Sequence, residues 1–146
     1  MSELYYSDAL KLGQKAARGK DGGLPVLDEL VPPEKLLSTV DLGVVSVPAE
    51  FIVGTKSRGR TEAFASNFMP LLPLKTEFAG KWAALCSAHL AEGIREPVKV
   101  YEYFNRFYVA EGNKRVSVLK FFDAPTIPAH VIRVLPERTG DARTEL

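Results

Sequence analysis

The chain has 146 residues, 46% hydrophobic and 25% charged, with one cysteine and a formal net charge of +1. A chain of this length buries roughly two-thirds of its extended surface, so a core forms without disulfides or a structural metal. The numbers exclude a disulfide-stapled fold, a zinc site built on spaced cysteines and histidines, and a nucleic-acid binder that works through overall charge. No run approaches the roughly eighteen apolar residues that span a bilayer, and Met1-Ser2-Glu3 lacks the basic start of a signal peptide. A cytoplasmic protein without a membrane partner is expected.

Tyr6, Leu10, Gly13 and Ala17 recur at helical spacing and predict a first helix over residues 4–18, stopped by the glycines at 19, 22 and 23. Residues 24–33 hold Pro25, Pro32 and Pro33, which leave room for only a short helical turn. Residues 1–41 thus read as a helical N-terminal extension packed on a core that begins at Leu42. Gly43-Val44-Val45-Ser46-Val47, closed by Pro48, predicts a strand, and the next residues turn the chain on Phe51 and Ile52. Residues 54–61 carry Lys56, Arg58 and Arg60 with two glycines and no apolar side chain, which predicts a surface loop. Thr61 is placed to cap a short helix running to Phe68.

The clearest helix covers residues 76–92, where Phe78, Trp82, Leu85 and His89 share one face and Gly93 follows. Two aromatic and β-branched runs, 97–103 and 106–110, predict a hairpin turning at Phe104-Asn105. A helix follows Gly112 and ends before Pro125, and a last strand covers residues 129–135. The final residues, 137–146, are polar and read as a tail or the start of a linker to further domains.

The passage with most chemical content is the junction where the strand ending near Glu111 passes through Gly112 into a helix beginning Asn113-Lys114-Arg115. The first N–H groups of a helix lack internal partners and sit at the positive end of its dipole, so such a junction attracts a phosphate or carboxylate. Gly112 removes a Cβ that would keep a ligand away, and Lys114 and Arg115 add charge. The same residues also read as a plain turn in which Asn113 caps the helix. Ser117 is a weaker hydroxyl candidate for phosphate, and Lys56 a weaker cation. Cys86, beside Trp82 and Leu85, reads as a packed apolar residue, and neither His89 nor His130 has partners for a catalytic triad.

The order of elements from Leu42 to Leu135 and the tetrad Gly112-Asn113-Lys114-Arg115 resemble the ParB N-terminal/sulfiredoxin-like domain superfamily. Its tetrad is Gly-Glu-Arg-Arg in ParB partition proteins and Gly-Cys-His-Arg in sulfiredoxins, where it touches nucleotide phosphates. The resemblance implies an α+β fold, a small mixed sheet with helices packed around it, over residues 42–136. It further implies a nucleotide or other phosphate ligand, such as a nucleoside triphosphate with magnesium, held by Gly112, Asn113, Lys114 and Arg115, with Arg58 or Arg60 approaching from the earlier loop. Asn113 stands where sulfiredoxins carry their catalytic cysteine, so sulfinic-acid reduction is not expected. Enzymatic readings are a ParB-like nuclease or a nucleotide phosphohydrolase, with Glu111 as the candidate carboxylate and no metal ligands assigned. The alternatives are a DNA-phosphate-binding module of a transcriptional or partition regulator, and a non-catalytic interaction or ligand-sensing domain in a homodimer or a longer protein. Under the phosphate reading, replacing Arg115 by alanine is expected to weaken anion binding while changing stability by less than about 1 kcal/mol, as for a surface charge.

Overall fold

A computed structural model describes residues 2–19, 23–31, 38–59 and 61–135. Helix α1 covers Ser2–Ala17 and a single turn, α2, Leu27–Leu30; strand β1 runs Ser38–Pro48, β2 Ile52–Thr55, β3 Val98–Tyr103, β4 Arg106–Glu111 and β5 Thr126–Leu135; α3 spans Glu77–Glu92 and α4 Asn113–Phe121. The strands form one mixed sheet in the order β1-β5-β3-β4-β2. β1 pairs antiparallel with β5 and β3 with β4, while β5 lies parallel to β3 and β2 parallel to β4. The chain is therefore an α+β fold.

Alternation along the strands gives the sheet two unlike faces. Val98, Val100, Val109, Ile127, Ala129 and Val131 point to the face covered by α1, α3 and α4, where they join Trp82, Cys86, Val116 and Val118 in the main core. Tyr108 and Val134 point the other way and pack with Leu27 of α2. The N-terminal segments belong to this packing. Tyr6 of α1 is buried against Trp82, ring centroids 5.3 Å apart, and its hydroxyl donates to the Leu72 carbonyl at 2.6 Å. Pro25 accepts the Thr55 N–H at 2.9 Å, and a Cβ on Gly54 would stand 2.3 Å from that same Pro25 oxygen, so the close approach requires glycine.

The hairpin turns on Phe104 and Asn105, both at positive φ (51° and 64°), as a two-residue connection between twisted strands demands. α3 begins at Thr76, whose hydroxyl accepts the Ala79 N–H at 3.1 Å. Elsewhere the structure corrects the sequence reading. β1 is described from Ser38, ahead of the boundary expected at Leu42, and β5 begins at Thr126. β2 was expected as turn and loop. In place of a helix over 61–68 there is only a 3-10 turn, Thr61–Ala63, after which Phe64 bridges to Pro70 and Phe68 takes φ 70°. Phe64, Phe68 and Met69 all point into the core, which an irregular loop achieves as well as a helix. The tail 137–146 lies outside the described residues. Among the described residues no helix is long and apolar enough to cross a membrane.

Candidate functional site

β2 and β4 run parallel as neighbours, so their C-terminal ends leave the sheet side by side. This places the loop after Thr55 against the start of α4. The Thr55 hydroxyl donates to the Val109 carbonyl at 3.0 Å, and the Lys56 N–H donates to the same carbonyl at 2.8 Å. From the α4 side the Asn113 amide donates to Thr55 Oγ1 at 3.5 Å. Between the two segments lies a cleft of about 470 Å³ whose lining includes Thr55, Ser57 and Gly59 on one side and the tetrad 112–115 on the other, with Phe64, Phe78 and Leu85 as an apolar wall.

At the tetrad, Gly112 takes φ 109° and ψ 25°, a left-handed conformation that turns the strand into the helix. A Cβ here would lie 2.6 Å from Val98 Cγ1. Glycine is thus required by packing on β3 rather than by room for a ligand. The first rung of the helix is the Val116 N–H to the Gly112 carbonyl at 2.9 Å, so the N–H groups of Asn113 and Arg115 precede the ladder. Asn113 is the first helical residue. Gly112 occupies the cap position and no side chain caps it, which corrects the reading of Asn113 as the cap. Asn113 Oδ1 is buried and takes no hydrogen-bond partner among the described residues.

The cations expected at the site divide sharply. Lys114 lies along the cleft with Nζ 5.3 Å from the centre of the Phe78 ring. Arg115 lines the cleft, but its Nη1 donates to the carbonyls of Glu96 and Pro97, each at 3.0 Å, fastening the helix start to the segment entering β3. It is therefore also a structural tie, contrary to its reading as a plain surface charge. Lys56 turns away to Asp28, 2.7 Å from Nζ to Oδ1, and lies over the Tyr101 ring. Arg58 forms a two-pronged pair with Glu29, Nη2 donating to Oε1 at 2.9 Å and Nε to Oε2. This pair holds the Glu29 carboxyl below its ordinary range and pushes the Arg58 guanidinium up. Arg58 lines a separate cleft with Thr61 and Glu62 and is not part of the lining beside the tetrad, where Arg58 or Arg60 was expected. Arg60 lies outside the described residues.

Ser117 is buried and accepts the Trp82 indole N–H at 2.9 Å; it belongs to the core, not to a phosphate site. Glu111 is exposed at the end of β4, across from Lys99, and does not line the cleft. Cys86 is fully buried, and burial pushes its thiol up. His89 accepts the Ile94 N–H at 3.3 Å, and His130 meets Asp41 at 2.8 Å on the β1–β5 pair. The polar side chains of the lining, Thr55, Ser57, Asn113, Lys114 and Arg115, all carry hydrogen-bond donors. Among the described residues that line the cleft there is no carboxylate. The sequence reading missed Asp28 and Glu29, the partners of two cations; their signal was a pair of acids in a short helical turn.

No family model matches this chain, and no curated protein matches it. A comparison of folds finds it similar to the crystal structure of sulfiredoxin from Arabidopsis thaliana, at 19% sequence identity and a TM-score of 0.41, over 70% of this chain and 93% of that one.

Proposed function

We propose that the cleft binds a phosphate-bearing ligand, with the phosphate at the start of α4 and Lys114, and the ligand's less polar part, such as a nucleobase, against Phe64 and Phe78. The observation that carries this reading is the convergence of two distant segments, 55–59 and 112–115, on one cleft that joins the positive, N-terminal end of α4 to an apolar wall. The resemblance of the tetrad to the phosphate-contacting tetrad of the ParB/sulfiredoxin-like superfamily supports the same reading. The reading is of binding, because among the described residues the lining offers donors and apolar surface and no carboxylate placed to act as base or metal ligand.

Calorimetric titration of the full chain with ATP and with inorganic phosphate tests it. ATP is expected to bind more tightly than phosphate, and Lys114→Gln to weaken ATP binding by roughly ten-fold through loss of a charge-assisted contact. Absence of binding by either probe, or salt-sensitive binding to duplex DNA alone, overturns it.

A further inference from the structure

We infer that the acidic pair on α2 is a latch on this cleft: Glu29 holds the Arg58 guanidinium away from it, and an incoming phosphate competes for that guanidinium. The inference concerns regulation of the cleft and rests on the phosphate reading above.

Asp28 and Glu29 are adjacent and act on adjacent parts of one loop. Asp28 accepts from Lys56 Nζ at 2.7 Å and from the Ser57 hydroxyl at 3.0 Å, and its own N–H donates to the Lys56 carbonyl at 3.0 Å. These bonds dock α2 on the loop and bring Glu29 to Arg58. The neighbours of Arg58 on either side, Ser57 and Gly59, both line the cleft. Its backbone therefore stands between two residues of the rim, and exchange of Glu29 for a ligand calls for rotation about the Arg58 side-chain bonds, which also gives up the contact of Nη1 with Thr61 Oγ1 at 3.5 Å. A planar guanidinium makes the same forked contact with phosphate as with carboxylate. The pair is open to water, with the Arg58 and Glu29 side chains 57% and 51% exposed, so it is screened and readily exchanged. Affinity for an anion is then reduced by the fraction of molecules in which Arg58 is held by Glu29.

Titration of inorganic pyrophosphate into the full chain, Glu29→Ala, Glu62→Ala and the double variant Glu29→Ala/Arg58→Ala separates the possibilities. Glu62 acts on Arg58 through charge alone, so its removal reports the general effect of losing one negative charge. Glu29→Ala is expected to tighten binding about five-fold and Glu62→Ala less than about two-fold, the first gain vanishing in the double variant. Equal gains in the two single variants, no gain in Glu29→Ala, or a gain that survives loss of Arg58 overturns the latch while the site stands. Failure of all four proteins to bind pyrophosphate overturns the latch together with the phosphate reading.

Discussion

The Trp82 indole N–H donates to the Ser117 hydroxyl at 2.9 Å, and neither residue is exposed to solvent. This bond joins α3 to α4 inside the main core, where Val116, Val118 and Leu119 also hold α4 in place. Ser117→Ala leaves a buried donor unsatisfied and is expected to lower stability by about 1–3 kcal/mol, measured by urea denaturation. Affinity for ATP in the folded variant is expected to stay at the wild-type value.

Arg115 makes a different case, because one side chain both lines the cleft and binds the carbonyls of Glu96 and Pro97. Arg115→Ala removes two bonds from a charged donor, with an expected loss of about 1.5–3 kcal/mol in chemical denaturation. Arg115→Lys restores the charge on a shorter side chain that does not place a donor where Nη1 stands, and is expected to recover anion affinity more fully than stability.

Gly112→Ala places a Cβ 2.6 Å from Val98 Cγ1 at a backbone with φ 109°. Strain and overpacking together are expected to cost about 2–4 kcal/mol. Adding Val98→Ala removes the clash but not the backbone strain, so the double variant should recover part of the loss relative to Val98→Ala alone. Additive costs in this cycle would mean that the contact with Val98 does not matter.

Burial pushes the Tyr6 hydroxyl up to about 12 from its ordinary 10.0. The neutral form is the one the fold favours. Its contribution is fully present below pH 10 and is lost as pH rises from 10 toward 12. Urea midpoints measured at increasing alkaline pH should fall more steeply for the wild type than for Tyr6→Phe. At neutral pH the variant is expected to lose about 1 kcal/mol with the bond to the Leu72 carbonyl.

Cys86 is enclosed on α3 among core side chains, and its thiol is pushed up by burial, which disfavours the reactive thiolate. Alkylation by iodoacetamide is expected to be negligible in the native state and to follow global unfolding when urea is added. Rapid labelling without urea would show a local opening of α3.

The elements legible in the sequence are those whose signals are local. The face repeated by Phe78, Trp82 and Leu85 and the turn at Phe104-Asn105 each specify their structure within a few residues. β2 was not legible, because four residues, Ile52–Thr55, become a strand only by pairing with β4, far along the chain. The segment 61–68 misled for the opposite reason. Its apolar residues sit at helical spacing, but three-dimensional packing turns Phe64, Phe68 and Met69 inward from an irregular backbone.

At the cleft, the glycine turn into α4 could be read from residue order, since a left-handed position between strand and helix restricts the residue that fits. Which cations face the cleft could not. Lys56 and Arg58 are drawn to Asp28 and Glu29, carboxylates delivered by a segment that docks on β2 through the Pro25 carbonyl, and Arg115 is drawn to carbonyls at the entry to β3. Charge pairs depend on distance through space, and in this chain only the folded sheet brings those partners within reach.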